Sequence, residues 1–198
     1  MRSPLYFHPW LYELAIRALY GQYYQARYRE VAALIPEGSR VVDVCAGDCG
    51  LYRHALRTGR YNYHACDSNK TFVEWAQRQG IQAQRLDVLQ EPLPKADCVV
   101  MMGSLCQFLP EPGMVLESMI EAAHERVIIS EPVRNLAQHR WGMVRWLARL
   151  GSQLESGPVE RRFTEETLRA LLKRYGLESM RPVAGGREVL AFLEQPGA

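Results

Sequence analysis

Two periodicities alternate along the chain. Short apolar runs recur at 40–45, 61–66, 82–86, 97–102, 126–130, about 178–183 and 188–193, and runs of this length bounded by turn residues predict strands. Between most of them, at about 50–58, 70–79, 113–124 and 164–175, apolar positions return at helical spacing. Two more helical patterns open the chain, about 9–20 and 22–35, and stop at Pro36-Glu37-Gly38. The last helix has a clear start in Thr164-Glu165-Glu166-Thr167 and a clear stop in Tyr175-Gly176. Strand and helix in steady alternation predict an α/β fold: one domain, a seven-stranded and mostly parallel sheet, helices on both faces. The final two strand runs are joined only by Val183 to Glu188. That link is too short for a crossover helix, so the last strand is expected to run antiparallel.

Composition narrows the class without naming a function. A chain of 198 residues, 47% hydrophobic and 23% charged, is sized and balanced for one globular core. A formal charge of +2 gives no general attraction to polyanions, and no DNA partner is expected. No apolar stretch approaches the ~20 residues that span a bilayer. Charged Glu13 and Arg17 interrupt the segment where a secretion signal would be unbroken, so a cytoplasmic location is expected. Five cysteines (Cys45, Cys49, Cys66, Cys98, Cys106) include no C-x-x-C pair. Cys45 and Cys49 share the first spacing of a radical-enzyme iron–sulfur motif, but its third position is Tyr52. The expectation is reduced, buried thiols and no metal site.

Candidate chemistry begins where the first strand ends. Val41-Val42-Asp43-Val44 opens into Cys45-Ala46-Gly47-Asp48-Cys49-Gly50, a loop of small side chains against which a ligand can approach main-chain N–H groups. An acid just before such a loop repels phosphate and favours hydroxyl or ammonium groups. Asp67 closes the second strand run about 20 residues beyond the loop, in Cys66-Asp67-Ser68, and a carboxylate there can accept bonds from two ribose hydroxyls. A third acid, Asp87, follows the third run ahead of Val88. Acids ending successive parallel strands fall on one edge of the sheet, the edge where open α/β sheets bind ligands. Asp48 reads as a solvated loop residue, and His64 as a structural strand residue.

Over residues 40–193 these features resemble the class I S-adenosylmethionine-dependent methyltransferases, whose sheet has seven strands with the last antiparallel. Their first motif resembles D-x-G-x-G-x-G. The matching positions here are Asp43, Cys45, Gly47 and Cys49, with cysteine at two of three glycine positions and Gly50 following. The resemblance implies S-adenosyl-L-methionine as cofactor, held by Asp43, Cys45, Ala46, Gly47, Asp67, Ser68, Asp87, Val88, Gly103 and Ser104. In it, Asp67 takes the ribose, Asp87 the adenine amino group and the Val88 amide the ring. It also implies an N-terminal helical lid over 1–38 ahead of a domain at 39–198 with a helical insertion near 134–158.

The acceptor is less legible. Met102-Gly103-Ser104-Leu105-Cys106-Gln107 lacks the N-P-P-Y type signature of enzymes that methylate amino groups of DNA and protein. Gln107 can orient a substrate but cannot act as a base. Glu131, after the fifth run, is the one candidate base, or else a loop residue held by Arg134. Tyr24 and Tyr28, in a tyrosine-rich N-terminal region, are candidate acceptor contacts, although packing onto the sheet accounts for any single tyrosine as well. Arg134, Arg140, Arg145 and Arg149 interleave with Trp141 and Trp146 and meet no acid up to Leu150. That pattern suits a peripheral membrane contact through 134–150, an acidic acceptor group, or a helix covering the pocket. The expectation is therefore a methyltransferase acting on a small or amphiphilic molecule. The rival readings are an RNA methyltransferase, a nicotinamide-dependent oxidoreductase disfavoured by the missing G-x-G-x-x-G, and a non-catalytic S-adenosylmethionine binder.

Overall fold

In the computed structural model, residues 8–133 and 162–195 are described. Seven strands form one sheet in the order β3-β2-β1-β4-β5-β7-β6. They are β1 Arg40–Val44, β2 Asn62–Asp67, β3 Ala83–Arg85, β4 Ala96–Met102, β5 Ala123–Pro132, β6 Ser179–Val183 and β7 Glu188–Glu194. The pairs from β3 through β5 are parallel. Only β7 opposes its neighbours, pairing antiparallel with both β5 and β6, as the short final link requires. Ala184, Gly185 and Gly186 take left-handed φ in that turn, and a Cβ on Gly185 would run into the Tyr23 ring.

The sheet is covered on both faces, because its central strands carry apolar side chains on each side. Val42, Val44, Val99, Met101, Val127 and Ile129 face α4 (Gly113–Ala122) and α5 (Glu165–Arg174), with Val115, Leu116, Met119, Leu168 and Leu172 in the same cluster. The alternate residues Val41, Cys98, Val100 and Ile128 pack on the other face with Tyr20, Tyr24, Tyr28, Leu51, Leu56 and Ala76. Those come from α1 (Pro9–Tyr20), α2 (Tyr24–Ala32), a π-helical segment (Tyr52–Leu56) with Leu51 just ahead of it, and α3 (Lys70–Arg78). This alternation is the period-2 signature of a sheet buried on both sides.

Several boundaries differ from the sequence reading. The second helix is shorter than 22–35, because a 3₁₀ turn at Gly21–Tyr23 precedes it. The pattern at 50–58 widens into π geometry at Tyr52–Leu56. β5 begins at Ala123 and runs to Pro132, taking residues from the expected end of α4 and from the expected loop beyond Ser130. The α5 start is as read: Thr164 Oγ1 accepts the Thr167 amide (3.1 Å) while Thr167 Oγ1 accepts the Thr164 amide (2.9 Å). No helix among the described residues is long and apolar enough to cross a membrane.

Candidate functional site

The C-terminal ends of β1, β2, β3 and β4 gather the residues singled out in the sequence. Strand register sets their relative heights. Val44 is level with Cys66, and Asp67 with Arg85. Asp43 therefore sits two residues below the level of Asp67, and Asp87 two above it. At about 3.3 Å per residue, each step of this staircase is roughly 7 Å. The lowest acid is buried at 4% exposure and accepts a bond from the Tyr63 hydroxyl at 2.6 Å. Burial lifts its carboxyl to about 7, against the lowering effect of Tyr63, with Asp67 and Asp48 adding repulsion.

Asp67 and Asp87 are only partly buried. The Gly47 amide donates to Asp67 Oδ2 and the Asn69 amide to Oδ1, each at 2.8 Å. One carboxylate thus ties the β1 loop to the end of β2. Asp87 Oδ1 accepts the Leu89 amide and Oδ2 the Gln90 side chain, both at 3.1 Å, shaping the loop after β3. Val88 is buried beside it, Ser68 is exposed, and the Ala46 amide donates to the Cys66 carbonyl at 3.1 Å.

The loop keeps a glycine-type path without its glycines. Cys45, Gly47 and Cys49 all have left-handed φ, at 57°, 54° and 53°. Cys49 is fully buried, whereas Cys45 and Cys106 are only partly so, which departs from the expectation of buried thiols throughout. All five cysteines are free, and the described residues contain no His/Cys/Asp/Glu group suited to a metal ion.

Asp48 is not solvated. It is 3% exposed and pairs with Arg53 at 3.1 Å, while Arg53 reaches Glu13 of α1 at 2.7 Å. Burial raises the Asp48 carboxyl to about 6 although Arg53 pulls it down. Tyr24 and Tyr28, expected to contact the acceptor, are 3% and 4% exposed and pack behind the loop. The Tyr24 hydroxyl meets His54 Nε2 at 3.0 Å, and the Tyr28 hydroxyl occupies the space a Cβ on Gly50 would take. The Tyr12 ring covers Gly47, lying 3.7 Å from where its Cβ would stand. His64 lies on β2, its Nδ1 paired with Gln82 at 3.3 Å.

Gly103 ends β4 with φ 66°, followed by buried Ser104 and a 3₁₀ turn, Leu105–Phe108, on which Gln107 is exposed. Glu131 hangs this turn from β5. It is fully buried, and its two oxygens accept the Leu105 amide (3.0 Å) and the Cys106 amide (3.2 Å). Burial brings its carboxyl to about 7, offset by a hydrogen bond from the Cys106 thiol and by these two amides. Glu131 is therefore a strand residue held by main-chain donors, neither a loop residue nor an open base. Arg134 and the arginine-rich stretch lie outside the described residues.

Sequence reasoning missed the group beneath this edge. Glu188 of β7 is fully buried and accepts from Arg27 Nε (2.9 Å), Ser130 Oγ (2.6 Å) and the Tyr20 hydroxyl. The Arg27 guanidinium lies over the Tyr20 and Tyr28 rings, 4.4 and 5.0 Å from their centroids. Burial opposes its charge, but Glu188 together with the Tyr20, Tyr28 and Tyr12 hydroxyls outweighs that and keeps it protonated. The only local signal was an arginine among tyrosines on an otherwise inward helix face.

Comparison with known proteins agrees with this architecture. Solved structures with the same fold include the complex of the Haloferax volcanii Trm112 methyltransferase activator with a methyltransferase, at TM-score 0.69 and 14% identity over 97% of each chain. Magnesium protoporphyrin IX methyltransferase of Synechocystis PCC 6803, with bound SAH, has TM-score 0.65 and 16% identity over 98% of this chain and 97% of that one. Human N-acetylserotonin methyltransferase in complex with SAM has TM-score 0.66 and 16% identity, covering 98% of this chain and 58% of the human one. No curated protein sequence matches. A family model described as a methyltransferase domain matches residues 16–181. The chain belongs to that methyltransferase family and has the class I, Rossmann-like fold of S-adenosylmethionine-dependent enzymes.

Proposed function

We propose that this protein transfers a methyl group from S-adenosylmethionine to a small or amphiphilic acceptor. The observation that carries this reading is the staircase of Asp43, Asp67 and Asp87 at the ends of adjacent strands, rising past a loop of small side chains. Such an edge suits a cationic, hydroxyl-bearing ligand and repels phosphate. Asp67 takes the ribose hydroxyls, its carboxylate lying at the end of β2 beside the Gly47 amide. Asp87 and the Val88 amide take the adenine. Asp43, too deep to reach a ribose, holds the loop through its position below Gly47 and its bond to Tyr63. Cys45, Ala46 and Ser68 line the ribose side, and Gly103 with Ser104 close the β4 side. SAM and SAH, bound in two proteins of the same fold, support the choice of cofactor. Their named substrates, N-acetylserotonin and magnesium protoporphyrin IX, support a small acceptor.

When bound, S-adenosylmethionine supplies a methyl carbon already activated by its sulfonium. The chain contributes alignment and exclusion of water, together worth several kcal/mol. Helices α1 and α2 cover the loop, in keeping with a cover over 1–38 on a catalytic unit at 39–198. Gln107 is placed to orient the acceptor, while Glu131 fixes the turn that carries it. With both oxygens of Glu131 engaged, the reading favours acceptors whose attacking atom is already unprotonated or loses its proton after attack.

Calorimetric titration with S-adenosylhomocysteine tests the reading. Binding is expected in the wild type and loss of at least 100-fold in Asp67→Ala, whose removed charge-assisted bonds account for about 3 kcal/mol. Titration of NADH in place of S-adenosylhomocysteine would sink the methyltransferase reading.

A further inference from the structure

Helix α1 is held to the body of the molecule by charge as much as by apolar contact. Of its 12 residues only Pro9, Ala15 and Tyr20 are buried, while Trp10 and Leu14 face solvent at 63% and 57% exposure. Glu13 turns inward instead, where Arg53 donates to it at 2.7 Å and His54 Nε2 stands 3.6 Å away. This reverses the amphipathic order of a surface helix. Burial works to raise the Glu13 carboxyl, but Arg53, with His54 and Arg17, holds it below the ordinary carboxylate range. The inward group is therefore charged at neutral pH. His8, at the N-cap, makes no side-chain capping bond. A helix fastened in this way belongs to the less stable parts of a fold.

Its two ends are fixed differently. At the C-terminal end, Arg187 donates to the carbonyls of Leu19 (2.7 Å) and Tyr20 (3.0 Å), and the Tyr20 hydroxyl reaches Glu188. Gly21 follows at φ 54°, with open space where its Cβ would stand, and can absorb a rotation between the two helices. Beyond it α2 is locked down, with Tyr24, Arg27, Tyr28 and Val31 buried. In the N-terminal half of α1, the Tyr12 ring lies over Gly47 and meets the Phe72 ring of α3 edge-on at 5.6 Å. The Gly47 amide is the donor to Asp67. Tyr12 thus stands over the junction of the β1 loop with the end of β2, where the ribose is assigned.

We propose that α1 alone is a gate for the cofactor, pivoting about Gly21 and latched by Glu13 on Arg53, with α2 fixed as its frame. This rests on the methyltransferase reading above. Closed, the gate keeps Tyr12 over the loop and shuts out water. Open, it uncovers Gly47, so that cofactor enters and demethylated product leaves. Arg53 also pairs with Asp48, which fastens the latch to the cofactor loop itself. The π-helical turn serves the latch by setting one guanidinium between acids of two different elements.

Rates distinguish a gate from a binding contact. Opening precedes both entry and exit, so loosening the latch multiplies association and dissociation equally and cancels in their ratio. The test is stopped-flow tryptophan fluorescence of the full chain with S-adenosylhomocysteine, comparing wild type with Glu13→Gln. Both rates are expected to rise by about tenfold as the charge-assisted bond becomes a neutral one, with affinity held within about threefold. Glu30→Gln, which removes the exposed Glu30–Arg181 pair of α2, should leave both rates as in wild type. Hydrogen exchange in the ligand-free proteins is the second measurement. Glu13→Gln should speed exchange in α1 by about tenfold and leave α2 unchanged, itself evidence of a folded protein. The gate is overturned if dissociation rises alone, if neither rate moves, or if α1 and α2 exchange faster together. Wild type that fails to bind S-adenosylhomocysteine overturns the cofactor reading, and exchange in α1 against α2 then still decides whether the helix opens by itself.

Discussion

Cys45 and Cys49 stand in backbone conformations that L residues avoid, at φ 57° and 53°, a penalty of about 1–2 kcal/mol each. Cys45→Gly should therefore stabilise the protein by about 0.5–1 kcal/mol after the extra chain entropy of glycine is set against the relief. Urea unfolding checks this. Cys49→Gly should gain less, because Cys49 is 1% exposed and its thiol fills the core. Gly50→Ala should cost about 1–3 kcal/mol, since its Cβ falls on the Tyr28 hydroxyl. Asp43 has a pH signature. Its folded carboxyl ionises near 7, above the ordinary 3.8, so between these values the folded state binds more protons than the unfolded chain. Its contribution to stability is thus greatest in acid and falls as pH rises to about 7. Against Asp43→Asn, wild type should lose about 2–3 kcal/mol between pH 5 and pH 8, read from unfolding midpoints at each pH. A constant difference would contradict the buried, ionising carboxyl.

At the scale of elements, charge couples α1 to the loop. Arg53 stands in the π-helical segment between Asp48 and Glu13, its guanidinium 5.2 Å from the Trp75 ring centroid. Widening of the helix there is common at functional sites. Arg53→Met should leave Asp48 buried without its partner, cost about 2–4 kcal/mol, and speed hydrogen exchange in α1. On the opposite face of the sheet, Thr164→Ala should cost about 1 kcal/mol by removing half of the α5 capping box, without touching cofactor affinity. The elements themselves were largely legible, because strands and helices declare their period locally. Asp67 and Asp87 were legible too, since a strand end followed by small or polar residues marks the sheet edge. Asp48 was not: its solvent is excluded by Arg53, Glu13 and the rings of α2, and no local pattern reports burial supplied by another element. Glu131 was misread because pairing with β7 carries β5 past Ser130 to Pro132, a long-range effect on a strand boundary.

At the scale of the molecule, the N-terminal helices and the last strand share one buried anchor. Arg27 and Glu188 are 161 positions apart, and Tyr20 is 168 from Glu188. Arg187 adds bonds to the carbonyls of Leu19 (2.7 Å) and Tyr20 (3.0 Å). Such pairings are invisible to periodicity, which is why the tyrosine-rich helices read only as a cover. They also dictate an order of events. At about 5–20 residues per second, Glu188 leaves the ribosome roughly 8–32 s after Arg27. For that interval a cation and a ring of tyrosines destined for the interior have no acceptor to settle on. Central strands can pair during synthesis, but the cover cannot be locked down until the chain is nearly finished. The candidate site is thus assembled last, and an interrupted or shortened chain carries every acid of the staircase without the roof above it.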